Sequence, residues 1–287
     1  MIVAREVRAA LENGRPVVAL ETTLVAHGFP PGEGVAVGLE CERRVRDGGA
    51  TPATIGVLDG EVRVGLSAED LERFDADARK VGPRDLAACA AQRAVGATTV
   101  GGTLAVCRKA GIRVMATGGI GGVHRDPRDV SPDLEQLART QIVVVSSGAK
   151  SLLDVSATAE LLETLGVPML GYGTDELPLF YTARGGPNVS ARVDSPDEAA
   201  AIARGHWELG GAGVLLARPP TNSLDDVEPL IATALDQAAG ADITGARLTP
   251  FVLAYLHEHS DGRTLAANRD LVLDNASLAA AVAAALA

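Results

Sequence analysis

The chain of 287 residues reads as an α/β protein, a three-layer α/β/α arrangement around a mostly parallel central sheet. Three observations predict this. Short runs rich in β-branched residues alternate with helical periodicity over most of the length. Several of these runs, such as Ile142–Val145, are apolar without interruption, as strands covered on both faces are. The C-terminal end reads all-helical.

The elements follow in order. MIVAREVRAALENG is expected to form an amphipathic helix, because charges interrupt the apolar run that a secretory leader needs. Pro16–Glu21 is the first strand and Val35–Arg46 the next helix. Strands Thr54–Leu58 and Glu61–Gly65 flank Asp59-Gly60, a pair suited to the positive φ angles of a tight hairpin, so one excursion is antiparallel. Helix Ser67–Asp77 opens on Ser67-x-x-Asp70, the spacing of a capping box, and Arg84–Ala94 is a further helix. Strand Thr98–Val100, helix Thr103–Ala110 and strand Ile112–Ala116 lead to helix Ser131–Thr140 and strand Gln141–Ser146. Helix Ser151–Leu165, strands Val167–Gly171 and Val189–Val193, and helix Pro196–Leu209, with Ser195-x-x-Glu198 at its start, come next. Strand Val214–Ala217 and helix Leu224–Ala239 complete the alternation. No long Pro/Ser linker, charge block or internal repeat divides the chain, which predicts one domain over residues 1–287. An eight-stranded α/β barrel is the architectural alternative.

Composition narrows the function. Twenty-six Lys and Arg against 37 Asp and Glu give a net charge of −11, which repels a nucleic-acid polyanion or an anionic membrane. One Trp, three Tyr and four Phe offer few platforms for stacked bases. The apolar tail Ala279–Ala287 is too short to span a bilayer, and a cytoplasmic location is expected. The three cysteines, Cys41, Cys89 and Cys107, form no CxxC pair and read as buried thiols. These features point to an acidic enzyme acting on a small molecule.

Of the 26 basic residues only three are lysines: Lys80, Lys109 and Lys150. Arginine cannot serve as an amine nucleophile, so a rare lysine draws notice. Lys109 sits at a helix C-terminus, where a cation needs no further reason. Lys150 follows the strand IVVVSSG and is expected to open a helix, where the dipole and burial would both disfavour the charged amine. Glu21 ends the strand VVALETT and is a candidate general acid. ATGGIGGVHR (116–125) lacks the third glycine of a dinucleotide fingerprint, yet its N–H groups are candidates for phosphate contact, or for a tight structural turn. Asp126, Asp129 and Asp133 suit a hard divalent cation. Helix capping by Asp129 or Ser131, with Asp133 in the first turn, explains the same residues. His257-x-His259 faces apart on a helix and is rejected as a metal pair.

Taken together, the motifs resemble the pseudouridine-5′-phosphate glycosidase family, also called indigoidine synthase A-like. The matching segments include ALETTLVAHGFPPGEG (19–34), TIGVLDGEVRVGLS (54–67), KVGPRDL (80–86), GATTVGGT (96–103), GIRVMATGGIGGVHR (111–125), SSGAKSLLD (146–154), SDGRTLAAN (260–268) and LDNA (273–276). They run in order along essentially the whole chain. The resemblance implies reversible cleavage of the C–C glycosidic bond of pseudouridine 5′-phosphate to uracil and ribose 5-phosphate, a divalent metal (usually Mn²⁺), a homotrimer and the α/β/α fold. By the same resemblance Glu21 is the proton donor and Lys150 the nucleophile that forms an imine with ring-opened ribose. Lys80, Val100, Thr117, His124, Ser131, Pro132, Asp133 and Asn275 are then substrate contacts, and Asp129 the metal ligand. Two departures stand out. The stretch between His124 and Asp133 is shorter than the family's, which leaves Asp129 and Asp133 as alternatives for the metal. Arg218 in LARPPTN replaces an asparagine. Two other readings use the same residues: a different Schiff-base phosphosugar lyase or aldolase, and a catalytically silent phosphosugar-binding protein. Binding of ribose 5-phosphate without uracil-dependent turnover distinguishes the last.

Overall fold

The computed structural model describes residues 1–125, 129–150 and 152–287. Its main sheet runs, edge to edge, through Ile2–Val3, Glu61–Val64, Thr51–Leu58, Val17–Glu21, Val114–Ala116, Val143–Ser146, Val214–Ala217, Met169–Tyr172 and Ala191–Val193. All neighbours on this path are parallel except Thr51–Leu58 with Glu61–Val64, the expected hairpin. Asp59 and Gly60 turn it with φ of 56° and 87°, both in the left-handed region. A side branch, Gly96–Thr98, pairs antiparallel with Thr51–Leu58 and parallel with Arg79–Val81. The sheet stays open between its two short edge strands, so the barrel alternative is set aside.

The central strands are buried on both faces, as their uninterrupted apolar runs required: Val143, Val144, Val145, Val214, Leu215 and Leu216 are all inaccessible. The 24-residue C-terminal helix Arg263–Leu286 packs across strands Val114–Ala116 and Val143–Ser146 and between helices Gly34–Asp47 and Pro196–Glu208. Helices Glu228–Gly240 and Leu248–His259 complete the helical end. Ser67 and Asp70 form the full capping box. Ser195 caps the next such helix through Glu198 N–H at 3.2 Å, whereas the Glu198 carboxylate turns to Asp194 N–H. All three cysteines are buried and unbridged, and burial pushes the Cys41 thiol up to about 12. Among the described residues no helix is long and apolar enough to cross a membrane.

Several boundaries differ from expectation. The N-terminal segment begins as a two-residue edge strand, Ile2–Val3, before helix Arg5–Glu12. The helix expected over 67–77 is one turn, Ala68–Leu71. The helix expected from Ser151, itself outside the described residues, starts only at Val155. Leu153–Asp154 instead pairs antiparallel with Val123–His124, and the Asp154 carboxylate caps the helix by accepting Ala157 N–H at 2.9 Å.

Candidate active site

Three adjacent parallel strands, Val17–Glu21, Val114–Ala116 and Val143–Ser146, end side by side. Their carboxyl ends carry Glu21, Thr117 and the Ser147–Lys150 segment. Two further strand ends, those of Arg79–Val81 and Gly96–Thr98, bring Lys80 and Val100 to the same place. Ligands in open α/β sheets bind outside such strand ends. Here the ends enclose a cavity of about 450 Å³ lined by Glu21, Lys80, Val100, His124, Asp129, Ser131, Pro132, Asp133 and Lys150. Nine residues singled out in the sequence thus meet in one space.

Glu21 is 8% exposed and accepts a hydrogen bond from Thr117 Oγ1 at 2.5 Å. Burial pushes its carboxyl above the usual carboxylate range. The Lys150 cation, the Thr117 hydrogen bond and Lys80 oppose that shift, and the Asp133 charge adds to it. A carboxyl whose ionised form burial disfavours is suited to donate a proton. Burial lowers the Lys80 amine to about 8, and the nearby Lys150 cation acts in the same direction. Asp133, Glu21 and Asp129 pull it back. The two lysines and three carboxyl groups therefore form one mutually interacting set.

Lys150 reaches this set from an irregular segment, not from a helix. Its N–H donates to Ile120 O at 3.2 Å and its carbonyl accepts Leu153 N–H at 3.0 Å. The first helical residue is Val155, so the dipole argument for Lys150 falls away. Gly148 just before it has φ +81°, and a Cβ there would stand 2.0 Å from Pro178 O, so only glycine fits in GAKS.

Asp133 is 4% exposed and pinned from two sides. Its Oδ1 accepts Gly101 N–H at 2.7 Å and its Oδ2 accepts Gly121 N–H at 2.8 Å. It ties the start of helix Val100–Ala110 to the glycine loop, and a Cβ at Gly121 would intrude to 2.4 Å from Ser131 Oγ. Ser131 is the N-cap of helix Pro132–Leu137, so the capping reading holds for that residue. Asp129 differs: its carboxylate is 44% exposed, lines the cavity and lies 3.8 Å from His124 Nε2. Among the described residues no three His, Cys, Asp or Glu are grouped to hold a metal, and Asp126 lies outside them. A hard cation that keeps most of its waters needs only one or two carboxylates. Asp129 fits that role, and Asp133, with both oxygens engaged, fits it less.

Two expectations change. Asn275 lines neither this cavity nor the chamber behind it. It is wholly buried and donates from Nδ2 to Thr117 O at 2.9 Å and Ser147 Oγ at 3.2 Å, supporting the wall from behind. Thr117 lines the inner chamber and not the reaction cavity, and there it holds Glu21. The glycine loop also proves mostly self-engaged. Ile120 N–H goes to Gly148 O, Gly121 N–H to Asp133 and Val123 N–H to Thr158 Oγ1, while Gly119 packs against Phe180. Those N–H groups are spent on the fold, and at the start of helix Val100–Ala110 Gly101 N–H goes to Asp133 and Gly102 N–H to Thr99 Oγ1, which leaves Lys80 as the better anion-binding group. Arg218 points away from the cavity to Asp274 at 2.8 Å. Sequence reasoning did not find Thr99, the N-cap of that helix, although a Thr before a glycine-rich helix start signals it. Thr249, contributed by the distant helical end, carried no local signal.

Fold and site together define an α/β protein with an enzyme's cleft: a buried acid facing two amines at the carboxyl edge of a parallel sheet. Comparison with known proteins agrees. The family described as indigoidine synthase A like protein matches residues 6–285, and the chain belongs to that family. A relative from Herpetosiphon aurantiacus, named pseudouridine-5′-phosphate glycosidase, is 48% identical, covering 100% of this chain and 98% of its own. One of the same name from Staphylococcus aureus is 42% identical over 99% of this chain and 95% of its own. Among solved structures, an indigoidine synthase A-like protein from Thermotoga maritima aligns with a TM-score of 0.90 at 36% identity, over 99% of this chain and 96% of its own. The prealnumycin C-glycosynthase, in complex with ribulose 5-phosphate, aligns with a TM-score of 0.89 at 41% identity, over 100% of this chain and 97% of its own.

Proposed function

We propose that this protein cleaves the C–C glycosidic bond of pseudouridine 5′-phosphate, reversibly, to uracil and ribose 5-phosphate. The relatives' shared name and the sugar-phosphate complex of the C-glycosynthase support the substrate class. The observation that carries the chemistry is the placing of Glu21, raised by burial, in one cavity with Lys80 and Lys150.

A C-glycoside has no heteroatom leaving group to protonate. A lysine avoids the difficulty. Lys150 adds to C1 as the C1–O4 bond breaks and the ring oxygen takes a proton, and the new secondary ammonium then gives up a proton. The nitrogen lone pair then becomes the second bond of an imine while the C1–C5 bond breaks. The bonding pair passes to C5 of uracil, which is protonated, and water hydrolyses the imine. Glu21 supplies one of the protons. Lys80 holds the phosphate. Asp129 would hold a divalent cation, Mn²⁺ by the family resemblance, which as a template or Lewis acid would orient the substrate. The same resemblance supports a homotrimer, which sedimentation checks.

The test is uracil release from pseudouridine 5′-phosphate with and without manganese. Turnover is expected with the metal, loss on exhaustive chelation and recovery on adding Mn²⁺. Asp129→Ala should need much higher Mn²⁺ for half-activation. Full activity after chelation contradicts the metal role, and loss of the metal response in Asp133→Ala alone reassigns the ligand.

Lys80 gives a separate expectation. Loss of a charged contact to a desolvated phosphate costs on the order of 2–5 kcal/mol, so Lys80→Ala should lower kcat/KM about 30-fold or more. A lysine titrating at about 8 is cationic below that pH and neutral above it. KM should therefore rise as pH climbs through 8 in the native enzyme, and this rise should vanish in Lys80→Ala. Equal kcat/KM for the unphosphorylated nucleoside contradicts the assignment.

A further inference from the structure

The reaction cavity does not end at Glu21 and Lys150. These two residues, with Thr23, Lys80 and Thr249, also line a smaller inner chamber of about 50 Å³. On its far side the chamber meets a broad groove of about 810 Å³, and His27, Gly28, Pro250 and Leu253 line both. Three spaces thus follow one another through the protein, with the catalytic pair at the first junction.

The walls change character along the way. The reaction cavity is lined with charges, among them Lys80, Asp85, Asp129, Asp133 and Lys150. Most residues lining the groove are apolar, among them Phe29, Phe74, Pro30 and Leu265, and its carboxylates, Glu72, Asp75 and Glu258, would further disfavour a dianion. The two products differ in the same sense. Ribose 5-phosphate is a dianion and, as the imine, is tethered to the lysine. Uracil is neutral and flat once C5 is protonated. Moving a dianion along an apolar wall is costly, whereas a neutral ring pays little.

We propose that uracil leaves, and in the reverse reaction enters, through the inner chamber and this apolar groove, while the sugar phosphate uses the charged mouth. The inference rests on the function proposed above. It implies an order: the base departs first, while the sugar is still covalently held and fills the front of the cavity.

The neck is firm on one side. His27 Nε2 lies 3.0 Å from Ala78 O, and Gly28 O accepts Asn268 Nδ2 at 3.1 Å. A Cβ at Gly28 would stand 2.6 Å from Leu24 O in its own turn, so this turn keeps a glycine. The half-buried Leu253 on helix Leu248–His259 lines both the chamber and the groove. The exposed Ala254 lies farther out in the groove.

Leu253→Trp should narrow the neck, and because Leu253 lines the chamber together with Glu21 and Lys150, the single-turnover rate shows whether the reacting groups are disturbed. Acid-quenched single-turnover reactions should form uracil within about twofold of the native rate, while steady-state kcat falls about tenfold and a burst of enzyme-held uracil appears, because release then limits turnover. Ala254→Trp, at an exposed position that keeps the fold, should give a smaller change in the same direction. An unchanged kcat in both variants overturns the second door. So does an equal fall in single-turnover and steady-state rates, because the neck would then act on the chemistry. Native enzyme that releases no uracil at all refutes the proposed reaction itself, and the exit route with it.

Discussion

Lys150→Ala is expected to lower kcat at least about 10³-fold while the protein folds normally, because removal of a covalent nucleophile removes the steps that depend on it. The side chain lines the cavity, whereas the bonds that shape its segment are made by its backbone, to Ile120 and Leu153. Alanine keeps both bonds, so circular dichroism and Tm should stay close to the native values. Lys150→Arg should be as inactive as alanine, because guanidinium is not deprotonated in proteins and cannot form an imine. Recovery of activity with arginine would mean that the position needs only charge. Native-like kcat in the alanine variant refutes covalent catalysis at this residue.

Glu21→Gln should lower kcat by about 10²–10⁴-fold, the usual range for removing a positioned general acid. The expected stability effect is neutral or favourable. Burial raises the Glu21 carboxyl, so the folded state disfavours its ionised form. A raised carboxyl contributes stability at low pH that is lost as pH rises through the unfolded value toward the folded one. Glutamine cannot ionise and still offers an oxygen to Thr117 Oγ1. Tm at neutral pH should therefore hold or rise, and the fall in native activity toward alkaline pH that tracks the protonated carboxyl should be absent from the residual rate. A large drop in Tm together with activity would make Glu21 a structural residue, and unchanged kcat would remove it as the acid.

Much of the site was legible because it lies at strand ends that the sequence marks clearly. VVALETT and IVVVSSG are apolar runs that stop at polar residues, and the stop is where Glu21 and Lys150 stand. The hairpin was legible because Asp59-Gly60 encodes its own turn. Lys80 was harder. Its strand, Arg79–Val81, is three residues long with an exposed first member, and it exists by pairing with Gly96–Thr98. No local periodicity announces such a strand. The helix start was misplaced by four residues (Ser151 expected, Val155 observed) because Leu153–Asp154 is claimed by Val123–His124 and Asp154 is the cap. Asn275 looked like a pocket residue within LDNA, yet the carbonyl it holds, that of Thr117, is 158 positions away. Whether an amide faces a ligand or a backbone is decided by tertiary packing. An open sheet and a barrel share the same strand–helix alternation, and strand order, which separates them, is set by long-range pairing.

Borohydride trapping tests the covalent mechanism most directly. The native protein is incubated with ribose 5-phosphate and reduced, and the modified peptide is located by mass spectrometry. The expected result is a single secondary-amine adduct on Lys150, absent from Lys150→Ala and retained in Glu21→Gln. An adduct on Lys80 instead, whose amine already titrates at about 8, would exchange the roles of the two lysines. No adduct in an enzyme that nonetheless releases uracil from pseudouridine 5′-phosphate would contradict the imine altogether.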